Sequence, residues 1–151
     1  MNLQMEINSL KQRIAELEQQ AEQKKEFTQE GDSFYSISET GNIEGGMIWG
    51  GYPVDMNRMA IGNVFKTEDE AEFAVEKLKV ESELLKFSKP FKNGQPNCNI
   101  ILSDNENVST AYWKEIQTQG SIYFESEEKA QQAIESVGEE RIKKYIFGVE
   151  D

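Results

Sequence analysis

The chain has 151 residues, 37% of them hydrophobic, and carries 28 acidic against 16 basic side chains, for a net charge of −12. Histidine is absent and Cys98 is the single cysteine, which excludes an intramolecular disulfide and a Ser–His or Cys–His nucleophile pair within one chain. We therefore expect a protein that is not an enzyme, needs no cofactor or metal and, because of its charge, does not bind nucleic acid or an anionic membrane directly.

The cellular location is predicted from general features of the chain. The N-terminus lacks the basic and apolar segments of a signal peptide, and no apolar run reaches the about 18 residues of a membrane helix. A single cysteine suggests a reducing compartment. Together these features predict a cytoplasmic protein.

The first predicted element is an N-terminal coiled-coil helix over residues 1–25. Its apolar residues alternate in spacings of four and three, which defines a heptad seam: Leu3, Ile7, Leu10, Ile14, Leu17 and Ala21. Isoleucine at position a with leucine at position d favours a parallel dimer. The seam covers only about three heptads, which are marginal alone in water, so we expect a homodimer that the rest of the fold supports.

The charges beside the seam favour self-association without deciding its orientation. In a parallel pair, Glu6 would face Lys11 and Arg13 would face Glu18 of the second helix. In an antiparallel pair, Lys11 would lie near Glu18 and Glu6 near Arg13. Residues 1–25 carry four acids and four bases, so the whole charge excess lies on residues 26–151.

After a polar linker at 26–33, the pattern predicts three strands and a helix. Alternating residues and turn signals give the order strand, hairpin turn, strand, loop, strand: 34–38, 39–42, 43–49, 50–59 and 60–65. Thr67 then caps a helix, with Glu70 completing a capping box, and Pro90 stops the helical region.

The same order follows a second time. The predicted strands and turn are 99–102, 103–107, 108–113 and 121–124. Ser126 caps a second helix, Gly138 ends it, and residues 139–144 form one more helical turn. The strand-to-helix junctions are nearly the same sequence, GNVFKTEDEA at 62–71 and GSIYFESEEKA at 120–130. This similarity predicts an α+β protein with two antiparallel βββα repeats, at 34–90 and 91–151.

The stretch 61–87, with Trp49 and Arg58 before it, resembles small uncharacterised proteins of phages and prophages of Gram-positive bacteria. Their pattern joins a tryptophan, an arginine, a G-N-x-F-K-T-E-E-E-A-E stretch and a helix, and many carry an N-terminal coiled coil. The matching residues are Trp49, Arg58, Gly62, Asn63, Phe65, Lys66, Thr67, Glu68, Glu70, Ala71, Glu72, Leu78, Lys79 and Val80. The resemblance implies a phage accessory protein in the cytoplasm of the host cell, and such proteins often act by blocking a host factor or a defence system.

Two groups of residues are candidates for binding. Trp49, Tyr52, Arg58 and Asn63 surround a glycine-rich loop, where the aromatic rings and the arginine suit a nucleobase. Alternatively, Trp49 fills the core and Arg58 pairs with a helix acid such as Glu70. The second group is acidic and would meet a basic partner: Glu68, Asp69, Glu125, Glu127 and Glu128. Acids also suit a helix N-terminus.

Three functions remain open from the sequence. In the first, a homo-oligomeric phage protein inhibits a bacterial defence effector, in the manner of an anti-CRISPR protein, by occupying a basic nucleic-acid-binding surface with its acidic face. In the second, it sequesters a nucleotide immune signal with Trp49, Arg58 and Lys66. In the third, it is a structural or scaffolding protein of the phage.

Overall fold

The computed structural model describes residues 2–23 and 27–150, which form a mixed α+β structure and confirm the predicted class. The helices are α1 Leu3–Gln23, α2 Pro53–Ala60, α3 Glu68–Leu85, α4 Glu127–Val137 and α5 Glu139–Tyr145. The strands are β1 Ser33–Ile37, β2 Ile43–Ile48, β3 Asn97–Leu102, β4 Val108–Trp113 and β5 Tyr123–Phe124. They form two antiparallel sheets, β1-β2 and β4-β3-β5.

The chain divides into two compact units. The N-terminal unit consists of Met1–Ser36 and Glu44–Lys66, and the C-terminal unit of Ile37–Ile43 and Thr67–Asp151. The predicted repeat boundary at residue 90 differs from this division, because α3 packs against α4 and α5 within the C-terminal unit.

The predicted N-terminal helix is present as α1. Asn2 begins it, since its side-chain oxygen accepts a hydrogen bond from Gln4 N at 2.8 Å and its carbonyl accepts one from Met5 N at 2.9 Å. The described residues of α1 continue to Gln23 without a break, as expected for a sequence rich in Leu, Glu and Gln.

The loop at 50–59 and the third strand at 60–65 are wrong predictions. Residues 53–60 form α2, which Pro53 favours because its fixed φ suits the first turn of a helix. The helix ends with bonds from Gly62 N to Met59 O and from Asn63 N to Arg58 O, at 2.9 and 2.8 Å. A sheet ladder would need these same N–H groups, so residues 60–65 cannot pair along their whole length. The expected third strand is reduced to one antiparallel bridge between Phe65 and Tyr35.

The two hairpin turns share one geometry. Ser38 N donates to Asn42 O and Gly41 N donates to Ser38 O, at 2.8 and 3.0 Å. In the second hairpin, the corresponding bonds run from Ser103 N to Asn107 O and from Glu106 N to Ser103 O, both at 2.9 Å. The fourth turn residue has a positive φ in both, 83° at Gly41 and 58° at Glu106. Glycine adopts this conformation without strain, whereas glutamate does so at some cost.

The core of the C-terminal unit lies between its sheet and its helices. α4 packs on all three strands, and α3 packs on α4 and α5. The buried side chains are Val80, Leu84, Cys98, Phe124, Ala130, Ala133, Ile134, Val137 and Ile142. The predicted caps are present, since Thr67 Oγ1 accepts from Glu70 N at 3.2 Å and Ser126 Oγ accepts from Lys129 N at 3.1 Å. Gly138, at a φ of 101°, ends α4 as expected.

A buried asparagine explains why β3 begins two residues before the predicted start. Asn97 is fully buried, and its amide nitrogen donates to Lys92 O, Gln95 O and Trp113 O at 2.8 to 3.1 Å. Its side-chain oxygen accepts from Lys89 Nζ at 2.6 Å and from Lys92 N at 2.9 Å. The side chain is therefore satisfied and fixes the loop that leads into the strand.

Candidate interaction surfaces

The apolar seam of α1 is exposed along its length. Leu3, Ile7, Leu10, Ile14 and Leu17 have between 42% and 76% of their surface accessible, and Ala21 is exposed as well. A contiguous apolar stripe of this kind is typical of a protein–protein contact surface. On the same helix, Arg13 pairs with Glu16 at 3.2 Å, an exposed pair three residues apart.

Trp49 lies in the core of the N-terminal unit. Its side chain is 7% exposed, and its ring meets Phe34 edge-on with the centroids 6.1 Å apart. Its backbone is also held, since Trp49 N donates to Asp32 O at 2.8 Å. A ring enclosed in this way has no free face on which a nucleobase could stack.

The other residues predicted around this loop belong to one local network, centred on Asp55. Asp55 is 4% exposed as a residue, and its Oδ2 accepts from Gly50 N at 3.1 Å and from Tyr52 N at 3.3 Å. Arg58 lies 3.6 Å from the other oxygen, so its ion pair is with Asp55. Asn63 donates its backbone N–H to the Arg58 carbonyl at 2.8 Å. Tyr52 remains mostly exposed.

α2 has the reverse of the usual amphipathic arrangement. It buries its aspartate and exposes large apolar side chains, which continue onto the residues that flank the helix. Those exposed between 38% and 79% are Ile48, Tyr52, Val54, Met56, Met59 and Ile61. Sequence reasoning missed this surface because the segment was interpreted as a loop and a strand.

The predicted acidic residues occupy two helix starts in the C-terminal unit. Glu68 and Asp69 lie in the first turn of α3, and Glu127 and Glu128 lie in the first turn of α4 with Glu125 just before it. All five are exposed. Glu127 and Glu128 line an open depression on α4 with Gln131, Gln132 and Glu135, whereas Asp69 lines a different depression.

That second depression, the α3–α5 groove, was not predicted. It has a volume of about 580 Å³ and is formed by one side of α3, the end of α5 and the hairpin tip. Its lining residues are Gly41, Asn42, Ile43, Asp69, Glu72, Phe73, Val75, Glu76, Lys79, Lys144 and Tyr145. The Phe73 and Tyr145 rings lie 5.1 Å apart between centroids. The sequence carried no signal for it, because it depends on the packing of α3 against α5.

Charge is unevenly divided between the units. The segments of the N-terminal unit contain 9 acids and 6 bases, whereas those of the C-terminal unit contain 19 acids and 10 bases. The C-terminal unit therefore carries a net charge of −9 of the total of −12. A surface potential of this sign attracts basic protein surfaces over distances of about a Debye length.

Glu83 and Cys98, both in the C-terminal unit, have shifted pKa values. The Arg141 guanidinium donates two hydrogen bonds to the Glu83 carboxylate, at 2.8 and 3.1 Å, which lower the pKa of Glu83. Burial raises the pKa of the Cys98 thiol, which lies in β3 with no exposed surface. A thiol that is buried and protonated is a poor nucleophile, so Cys98 acts as a small core residue.

Within the described ranges, no three Asp, Glu or Cys side chains gather as a metal site would require. No helix in that part of the chain has the length and apolarity to cross a membrane. Comparison of the sequence with protein-family models and curated proteins, and of the structure with solved structures, finds no significant match. The case for a function therefore rests on the surfaces described above.

Proposed function

We propose that this protein is a homo-oligomeric binding protein that inhibits a bacterial defence effector by covering a basic surface. In this proposal, α1 joins copies of the chain and the C-terminal unit presents the acidic surface. The observation that carries it is the uneven division of the two properties, because most of the exposed large apolar residues lie in the N-terminal unit and most of the charge excess lies in the C-terminal unit.

Self-association is supported by the α1 seam. A soluble protein rarely leaves a continuous apolar stripe open to water, and the a and d residues of α1 form such a stripe. Glu6, Lys11 and Glu18 make no ion pair within the described part of the chain, so they are available to pair across two helices.

The basic partner is supported by the charge of the C-terminal unit. The acids at the starts of α3 and α4 stabilise the helix dipoles, but that role does not account for the surplus of acids over bases in this unit. The bacterial defence context follows from the sequence resemblance, and a nucleic-acid-binding surface is the kind of basic surface that an acidic inhibitor would occupy.

We also infer that the two hairpins derive from one duplicated unit. The turns share their hydrogen bonds, their positive φ at the fourth position and the residues Ser, acid and Asn at positions one, two and five. In both, the segment just before the capped helix, α3 or α4, pairs antiparallel with the first hairpin strand, at Phe65 and at β5. The duplication concerns the hairpins and helix caps, since α2 has no counterpart.

Sedimentation equilibrium tests the assembly. We expect the wild-type chain to be a dimer and Ile14→Asp to weaken it by more than about 100-fold, because a charge at position a would be buried. The control is Gln12→Asp, which adds the same charge on the opposite side of α1. A monomeric wild type, or equal effects of the two substitutions, would refute the role of the seam.

Binding to the effector tests the acidic surface. Proteins captured from an infected host would be identified by mass spectrometry and then purified for titration. We expect Glu125→Gln/Glu127→Gln/Glu128→Gln to weaken binding about tenfold or more and to reduce its dependence on salt. Glu30→Gln/Glu44→Gln removes exposed acids from the N-terminal unit and should leave the affinity unchanged. Binding that is independent of salt would contradict the proposal.

A further inference from the structure

The α3–α5 groove combines two carboxylates that have no ion pair among the described residues with an exposed aromatic ring in one concave site. From this combination, we propose that the groove binds an arginine side chain of a partner protein. The inference rests on the proposed function, because it names a contact that a basic protein would make with the C-terminal unit.

The charge balance of the groove favours a cation. Three carboxylates line it, and Glu76 is neutralised by Lys79 at 2.8 Å. Asp69 and Glu72 form no ion pair with any residue in the ranges 2–23 and 27–150. Lys144 is placed over the Tyr145 ring, with its Nζ 5.6 Å from the centroid. The uncompensated charge at the N-terminal end of α3 is therefore negative.

The aromatic ring beside these carboxylates favours arginine over lysine. Phe73 is 39% exposed although it is a large apolar residue, and it lines the groove next to Tyr145. A guanidinium stacks on an aromatic ring while its N–H groups bind carboxylates, whereas an ammonium is a compact and more strongly hydrated charge.

The spacing along α3 allows one guanidinium to make all these contacts. Asp69, Glu72 and Phe73 stand at positions i, i+3 and i+4, which places them on one side of the helix within a single turn. An arginine stacked on Phe73 would therefore have both carboxylates beside it.

The dimensions of the groove agree with a peptide ligand and the charges disfavour a nucleotide. Its volume of about 580 Å³ falls within the roughly 300–1,000 Å³ range of ligand sites, so it can hold an arginine together with neighbouring peptide atoms. The phosphates of a nucleotide would be repelled by Asp69 and Glu72, which already carry uncompensated negative charge.

The experiment is a titration of the full chain with N-acetyl-arginine amide, followed by ¹⁵N–¹H correlation spectra. We expect shifts of amide signals in the first two turns of α3, at the end of α5 and at residues 41–43. N-acetyl-citrulline amide has nearly the same shape without the charge, and should produce no saturable shifts. Equal binding of the two compounds, or the absence of saturable shifts in these segments, would overturn the proposal.

Two variants locate the site. Asp69→Asn/Glu72→Gln should raise the Kd about tenfold, since the guanidinium loses both of its charged partners. The matched control Asp104→Asn/Glu115→Gln removes the same charge from exposed positions of the C-terminal unit that lie outside the groove, and should leave the Kd unchanged. Equal losses in the two variants would show attraction to net charge instead of a site.

Phe73→Leu keeps apolar volume but removes the stacking surface. We expect it to reduce the preference for the arginine compound over N-acetyl-lysine amide several-fold, and an unchanged preference would contradict the role of the ring. The probe requires neither a dimer nor a partner, so Ile14→Asp should bind it as the wild type does. Failure to bind the arginine compound would therefore count against the groove alone. Failure to dimerise or to bind an effector would count against the proposed function.

Discussion

The two units of this chain treat their apolar side chains in opposite ways. The N-terminal unit exposes most of its large apolar residues along α1 and around α2, and its buried hydrophobic residues are Phe34 and Trp49. The C-terminal unit buries a core cluster among α3, α4, α5 and its sheet, and carries most of the acidic excess. Apolar surface in water is unfavourable by roughly 25 cal/mol per Å², so a contact that covered the exposed residues of the N-terminal unit would be favourable.

Polar side chains show the same reversal. Asp55 is buried in the N-terminal unit as the acceptor that holds the start of α2, while the acids of α3 and α4 are exposed to solvent at their helix starts. The proposed function assigns assembly to the N-terminal unit and contact with a charged partner to the C-terminal unit. The predictions below test the contrast between the units through the stability of each.

The largest expected effect is on the C-terminal core. Phe124→Ala should lower the free energy of unfolding of this unit by about 3–5 kcal/mol, because the fully buried ring leaves a cavity between β5 and the helices. Native-state hydrogen exchange of the β3 amides measures it. Leu10→Ala removes an equally apolar side chain from the exposed seam, and should change the same quantity by less than about 0.5 kcal/mol.

If Phe124→Ala fails to fold, Phe124→Leu provides a graded version. It keeps most of the volume and should cost less than about 1.5 kcal/mol. A large effect of Leu10→Ala on β3 exchange would contradict the contrast between the units, because it would show that the C-terminal core depends on the seam.

An intermediate effect is expected in α2, where the polar residue and not the apolar one should matter for stability. Asp55→Ala leaves Gly50 N and Tyr52 N without their acceptor and should cost about 1–3 kcal/mol. Met56→Ala, at the exposed neighbour, should change stability by less than about 0.5 kcal/mol. Urea denaturation followed by Trp49 fluorescence measures both in a Trp113→Phe background, in which Trp49 is the sole tryptophan.

Asp55→Asn is the graded control for this pair. Its amide keeps one oxygen acceptor but loses the ion pair with Arg58, so an intermediate loss is expected. If Met56→Ala were as destabilising as Asp55→Ala in the monomer, α2 would be packed on its apolar side, and the reversed arrangement would be wrong.

The elements that the sequence predicted well are those with local causes. Thr67 and Ser126 cap their helices through their own side chains, and Gly138 ends α4 because its positive φ suits glycine. The α1 seam needs only the spacing of its apolar residues. Local signals for α2 were also present, since Pro53 and Asp55 are typical of a first helical turn, but the glycines around them favoured a loop.

The elements that were missed depend on contacts between distant residues. The α3–α5 groove needs Phe73 beside Tyr145, 72 positions later in the sequence. Similarly, Asn97 begins β3 because its side chain binds backbone groups of the preceding loop and Trp113 O on the neighbouring strand β4. Hydrophobic periodicity predicts which side of a helix is apolar, but it does not predict which element covers that side. The α3–α5 groove and the start of β3 could therefore not be predicted without the tertiary packing.

The smallest predicted effect is the pH dependence that the Arg141–Glu83 pair gives the C-terminal unit. Arg141 lowers the pKa of Glu83 in the folded state, so the pair stabilises the fold above the ordinary glutamate value of 4.5 and loses its effect as the pH falls through the lowered pKa. Glu83→Gln should therefore be less stable than wild type at neutral pH, and the difference should shrink below that ordinary value. Urea denaturation at a series of pH values measures it. Glu128→Gln removes the same charge but no ion pair among the described residues, so equal pH profiles of the two variants would assign the effect to net charge alone.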